Sequence, residues 1–259
     1  MQSLLGVTNI SIKIQLFNNK GENNVKKKYI ISIAAVAVLI LGIGGYTLLN
    51  SYMGNNVEIS SVLDKNEEAD SSEASADSDT APVSTEDLNG DWQVADDSSV
   101  YWSVTTSQET VNFVNEDVTG NWTVDINDST AMSGEGIVNM NALDSGNTQR
   151  DDHVKEGAEY LNVTEYPEAS FATSTISELP TSWTEGTVVP VTIDGTITIK
   201  GIEKEVQFDS EAMYQNGQLL LSGTTVVTFA DFGMENPHSV ALETENDLTV
   251  QLELVLDKA

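Results

Sequence analysis

Cysteine is absent from this chain, and that alone excludes a disulfide framework, a zinc–thiolate site, a cysteine nucleophile and a lipid-modified cysteine anchor. Positive charge is nearly as scarce. The 259 residues carry 11 Lys and Arg against 41 Asp and Glu, for a formal net charge of −30. Such a surface repels nucleic acid and anionic headgroups and keeps the protein soluble, which argues against a DNA- or RNA-binding role more strongly than any missing motif. Arginine occurs once (Arg150) and histidine twice (His153 and His238). The usual enzymatic signatures are missing too: no G-x-S-x-G, no H-E-x-x-H, no P-loop and no dinucleotide fingerprint. Carboxylates are so abundant that no pair of them singles out a catalytic acid and base. No catalytic residue, metal site or cofactor is assigned.

Long apolar runs are also rare, and the single one stands near the N-terminus. Residues 29–49 contain no charged side chain and follow Lys26-Lys27-Lys28. At 1.5 Å per helical residue a run of this length crosses a hydrocarbon core of roughly 30 Å. The lysines should stay cytoplasmic, placing the remainder outside the cell. A signal peptide has a shorter apolar region and a small-x-small cleavage site. This run ends Gly44-Gly45-Tyr46-Thr47-Leu48-Leu49 without a clean Ala-x-Ala, so an uncleaved single-pass anchor is expected. Upstream, Gly21-Glu22-Asn23-Asn24 is encodable by a purine-rich ribosome-binding sequence and Val25 by GTG. Translation is therefore expected to start at Val25, leaving 1–24 as a start-site artefact. The expected organisation is a cytoplasmic segment 1–28, a transmembrane helix 29–49, an acidic disordered linker 50–87 and a folded domain 88–259.

Forty of the acidic residues but only six of the basic ones follow Asn50. From Asn55 to Glu86 the composition is Ser, Asp, Glu and Ala with almost no large apolar residue after Leu63, too little to offset the entropy of ordering. The aspartates between 70 and 79 lack the central Gly and closing Glu of a calcium loop.

From Leu88 onward the hydropathy has period two. Val100, Trp102 and Val104 alternate with polar or wet positions, as do Trp122, Val124 and Ile126; Ile193, Ile197 and Ile199; and Leu248, Val250, Leu252 and Leu254. This is the mark of strands with one apolar face. Shorter strands are expected at 136–143, 169–176, 205–208 and 218–229. Asn89-Gly90, Asp194-Gly195, Asn216-Gly217 and Ser222-Gly223 are turn signals, Asn216-Gly217 being a hairpin turn and Gly195 and Gly223 marking bends or bulges. One helix is expected, Thr148 to Leu161, capped by Asp151 or Asp152. Eight or nine strands with one helix and no βαβ alternation indicate a single antiparallel sheet system, with barrel and sandwich both open.

Several short elements then fall in a particular order. Asp91-Trp92-Gln93-Val94 and Ser99-Val100-Tyr101-Trp102 form an opening strand pair, and Gly120-Asn121-Trp122 follows. Next come Arg150-Asp151-Asp152-His153-Val154, then Tyr166-Pro167 with Phe171 four residues on. Gly195-Thr196-Ile197-Thr198-Ile199-Lys200-Gly201 and Phe229-Ala230-Asp231-Phe232-Gly233 close the series. In this order and spacing the domain resembles the bacterial YceI-like, polyisoprenoid-binding family. Two departures stand out: Ser98-Ser99 replaces the His-Ser pair often present after the opening strand, and the basic residue common near Asp231 is missing.

The resemblance implies an all-β fold: an antiparallel lipocalin-like β-barrel of about eight strands with one short helix, enclosing an apolar tunnel for an isoprenoid or other long amphiphilic chain. It implies partnership with a lipid ligand and, through 29–49, with the cell membrane; a homodimer stays open. Arg150 either contacts a ligand headgroup through forked hydrogen bonds or pairs locally with Asp151, Asp152 or Glu156. His153 is a structural, hydrogen-bonded histidine or a ligand contact, and Asp151 an arginine partner, a cap or, beside them, a ligand contact. Trp92, Trp102, Trp122, Phe171, Phe229 and Phe232 line the tunnel or pack its core. Two rival readings remain, an interaction module whose barrel is filled by its own side chains and a lipid-modifying enzyme.

Overall fold

The computed structural model describes residues 54–64, 82–237 and 243–259. The expected start site, the transmembrane run 29–49, most of the acidic stretch and His238 lie outside the described residues. Among the described residues no helix is long and apolar enough to cross a membrane.

Twelve strands run in sequence: β1 (Pro82–Val83), β2 (Gly90–Val94), β3 (Ser99–Thr106), β4 (Thr110–Asn115), β5 (Val118–Val124), β6 (Ser133–Asn139), β7 (Glu168–Ile176), β8 (Trp183–Thr184), β9 (Val189–Ile199), β10 (Ile202–Gln215), β11 (Gln218–Thr228) and β12 (Thr244–Lys258). All ladders are antiparallel. The order β12-β11-β10-β9-β7-β6-β5-β2 returns to β12 and closes an eight-stranded barrel. β12 is long enough to pair with β2 through Leu256–Lys258 and with β3 through Leu248–Glu253, and β3 continues into the β3–β4 hairpin. Closure removes the edges of the eight-stranded ring, which is how an antiparallel sheet of this size avoids edge-to-edge association, and leaves β4 outside the ring as an edge strand.

Period-two patterning accounts for the core. Along β9 the positions Val189, Val191, Ile193, Ile197 and Ile199 are buried, and they join Trp92, Val100, Phe208, Val227, Val250 and Leu254 in one continuous apolar cluster. Trp92, completely buried, donates its indole N–H to Leu88 O at 3.0 Å, while the Lys258 ammonium stands 5.5 Å from its ring centroid. The hairpin at Asn216-Gly217 is as expected: both residues have positive φ (53° and 83°) and join Gln215 to Gln218 with the twist a two-residue hairpin requires. Gly195 sits where the ladder to β7 skips a residue, between Thr173 and Thr175; a β-carbon there would fall 2.4 Å from the Phe171 ring.

Three expectations are corrected. The domain begins before Leu88: β1 pairs with β8, and Ser84 caps a single helical turn, Thr85–Leu88, in a reciprocal capping box with Asp87. The expected linker is not all spacer either, because residues 54–64 lie along the barrel. Val62 is buried against Met213, Leu220 and Val255, which point outward from β10, β11 and β12 and need a cover. Glu253, also buried, accepts from Val62 N (2.8 Å), Ser61 Oγ (3.1 Å), Ser222 Oγ (2.7 Å) and Gln251 Nε2 (2.6 Å). Finally, the helix spans Thr148–Glu156 and stops at Gly157, with Asn147 as its cap, its side chain accepting from Arg150 N. Asp151 is not the cap because its carboxylate is taken up inside, by Ser145.

Asp231 shows how a missing family feature is replaced. It closes a capping box with Thr228 around the 3₁₀ turn Phe229–Phe232, and its Oδ1 accepts from Lys204 Nζ at 2.6 Å. The cation is supplied by β10 instead of the neighbouring sequence. The Lys204 bond, helped by Thr228, holds the Asp231 carboxyl below its usual range. A lowered folded-state value contributes stability above the unfolded value and loses it as pH falls through the folded one. Asp231→Ala should therefore cost about 1 kcal/mol at neutral pH, and the difference from the parent should shrink in urea titrations carried below pH about 4. A difference that persists undiminished in acid would contradict this assignment.

Candidate functional site

The hydrophobic interior is not filled uniformly. One end of the barrel, between β3, β4, the start of β12 and the helix Thr148–Glu156, encloses a cavity of about 270 Å³. Its deep wall is apolar: Trp102, Val104, Val111, Phe113, Ile199, Phe229 and Leu248 are all buried. Its outer wall is made by Arg150, His153, Val154, Tyr160, Pro237, Thr106 and Thr244, which are half-buried or exposed, so the mouth lies on that side. The walls are a consequence of closure. β4 pairs with β3 but not with β5, and is joined to the chain beyond it by the isolated Val114–Asp144 bridge and the Asn115 side chain, which donates to Asn139 O, so the helix and its following loop cover the gap.

Arg150 faces this cavity from the first turn of the helix. Its Nη2 donates to Gly54 O at 2.9 Å, and its guanidinium carbon lies 6.0 Å from the Phe113 ring centroid. The segment that begins at Gly54 is in turn held to β4: Asn55 Oδ1 accepts from Asn112 N, and Asn112 Nδ2 donates to Val57 O. His153, one turn further along the helix, stacks edge-on against Tyr160 with centroids 5.0 Å apart. A guanidinium and an imidazole at the lip of an apolar cavity can hold the polar end of an amphiphile by charge-assisted hydrogen bonds while its chain is buried below.

Asp151 does not join them. It is buried, and its carboxylate accepts from Ser145 N and Ser145 Oγ, tying the loop before the helix to its first turn. Burial pushes its pKa up, partly opposed by the Ser145 hydrogen bonds. The two hydrogen bonds it accepts from Ser145 fix the first turn of the helix, which also carries Arg150. The reading of Asp151 as a cap or arginine partner gives way to this serine clamp.

The expected aromatic residues separate into groups. Trp102 and Phe229 line the 270 Å³ cavity. Trp122 and Phe171 line, with Trp102, a second space of about 40 Å³ deeper in the barrel. Phe171 meets Phe208 edge-to-face at 5.2 Å. Phe232 and Trp92 border none of these spaces and are completely buried core. Sequence reasoning missed Phe113, Tyr160, Met140 and Met234 as lining residues; the alternation of Val111 and Phe113 was the available signal for the first. Among the described residues no three His, Asp or Glu side chains gather as a metal site would require.

The model of the YceI-like domain matches residues 92–256, nearly the whole barrel. The chain belongs to the YceI-like family. The YceI proteins of Salmonella arizonae and Salmonella newport are each 29% identical over 100 residues, 39% of this chain and 48% of theirs, so the chain spans about half the length of the curated relatives it matches. Among solved structures, Burkholderia cenocepacia BcnA superposes with a TM-score of 0.52 at 16% identity, covering 61% of this chain and 95% of that one. A polyisoprenoid binding domain from Saccharophagus degradans, implicated in plant cell wall breakdown, gives 0.52 at 11% identity, with 66% and 99% covered. At these identities the likeness is one of fold. The YceI-like barrel here is the closed, antiparallel, lipocalin-like architecture expected from the motifs.

Proposed function

We propose that this YceI-like domain binds a long-chain amphiphilic lipid of the isoprenoid type, displayed outside the cell on a single-pass anchor formed by residues 29–49. The observation that carries the reading is the 270 Å³ cavity, apolar at depth and bearing Arg150 and His153 at its lip. Membership of a family with a polyisoprenoid binding domain among its structural neighbours supports it. Burial of apolar chain supplies the affinity, at about 0.8 kcal/mol per methylene, against the cost of association. The domain acts as a binder or carrier in this reading and performs no chemistry on the chain.

The full-length chain, purified and extracted with organic solvent, is expected to release a reproducible lipid detected by mass spectrometry. Loss of charge-assisted contacts in Arg150→Ala should weaken rebinding of that lipid by about tenfold or more, and Arg150→Lys should not fully restore it. A protein that neither carries nor rebinds any lipid would instead support the filled-barrel interaction module.

A further inference from the structure

Two tryptophans stand between neighbouring spaces in the barrel interior. The outer cavity of about 270 Å³ and the middle space of about 40 Å³ share one lining residue, Trp102. The middle space and an inner one of about 50 Å³, bordered by Leu88, Ile193 and Leu256, share one lining residue, Trp122. An empty apolar cavity of ~150 Å³ accommodates benzene, so by that scale the outer cavity accommodates about ten carbon atoms, or two isoprene units. The middle space holds no further unit as it stands.

The two partition tryptophans also differ from the other two in how they are held. Trp92 and Trp183 donate their indole N–H groups to Leu88 O and Pro180 O. The indole nitrogens of Trp102 and Trp122 are buried with no hydrogen-bond partner among the described residues. Trp122 is seated by close packing: a β-carbon on its cross-strand partner Gly134 would fall 2.3 Å from the ring. Trp102 stands opposite Val250 and Phe113 on its two neighbouring strands, and in this position only apolar packing orients it.

Building on the lipid-binding reading, we propose that Trp102 is the length-determining residue of this site: it limits the buried chain to about two isoprene units by closing the outer cavity from the space beneath. Of a long isoprenoid the domain therefore buries only the first units.

The test is binding of geraniol, farnesol and geranylgeraniol, with two, three and four isoprene units, to the delipidated full-length chain and its variants. For the parent, affinity should gain less than about threefold from geraniol to geranylgeraniol; in Trp102→Ala the same comparison should gain about tenfold or more, since the added units become buried. Partitioning of the longer alcohols into aggregates affects parent and variant alike and cancels in the comparison. Should Trp102→Ala fail to fold, Trp102→Phe, which keeps an aromatic ring of smaller size, should still show a larger gain than the parent. Equal gains in parent and variants would overturn the length stop while leaving lipid binding intact. Failure of the parent to bind any of the three alcohols would overturn both.

Discussion

Val104→Trp is expected to reduce lipid affinity by about 100-fold or more while the barrel stays folded. Val104 lies on β3 between Val111 of β4 and Leu248 of β12, and all three side chains line the outer cavity. An indole at that position occupies space that a ligand chain would otherwise fill. Each displaced methylene forfeits about 0.8 kcal/mol of burial, so a handful suffices for an effect of this size. Overpacking a filled core ordinarily costs 1–3 kcal/mol, roughly, through forced rotamers and backbone shifts. Here the added atoms enter an existing void, and the thermal midpoint of the lipid-free protein should change little or rise. Calorimetric titration with the lipid recovered from the parent protein, alongside a thermal melt, reads both quantities. Undiminished binding in a folded Val104→Trp protein would place the ligand elsewhere and remove the basis of the functional reading.

Glu253→Leu is expected to destabilise the domain by about 2–4 kcal/mol and to release residues 54–64 from the barrel wall. Glu253 is a carboxylate almost wholly removed from solvent, satisfied by four hydrogen bonds, two of them from Ser61 and Val62. Leucine removes the acceptor and leaves the Val62 N–H and the Ser222 hydroxyl to find new partners or remain unsatisfied. Amide hydrogen exchange should accelerate across 55–63 far more than in the central strands β9 and β10. The same release should be felt at the site, because Gly54 O holds Arg150 Nη2 and Asn55 and Val57 hold Asn112. If exchange in 55–63 were unchanged, Glu253 would not be the anchor of this segment.

The strands that sequence reasoning located best are those with one wet face. β9 alternates through Ile193, Ile197 and Ile199, and β12 through Leu248, Val250 and Leu252, because the outer positions between them, such as Thr196, Thr198, Thr249 and Gln251, are partly open to solvent and select polar residues. β4 escaped because the alternation begun by Val111, Asn112 and Phe113 reverses at once: Val114 falls on the face of Asn112, and the buried Asn115 on the face of Val111 and Phe113. The packing of residues 54–64 did leave a trace. Leu219-Leu220-Leu221 and Leu254-Val255-Leu256 interrupt the alternation with outward apolar residues, and an apolar outer face requires a cover. The serine-rich composition downstream masked which segment provides it.

The site divides along similar lines. Arg150 and His153 stood out because cations are rare in this chain, and they do reach the cavity lip. Asp151 looked equivalent to them by sequence position, yet the rotation of a single helical residue turns it inward to Ser145. The aromatic residues could not be sorted in advance, since Trp102 beside a 270 Å³ cavity and Phe232 in solid core belong to the same residue class.

The sequence by itself determined the charge balance, the absence of thiols, the inward-facing positions of the main strands and the order of motifs that places the chain in its family. Those properties are local, and periodicity states which way a side chain faces. Only the tertiary structure decided how far away the opposite wall stands. That distance depends on closure of the barrel, on the gap between β4 and β5, and on the helix that covers it, and it separates a lined cavity from a packed core.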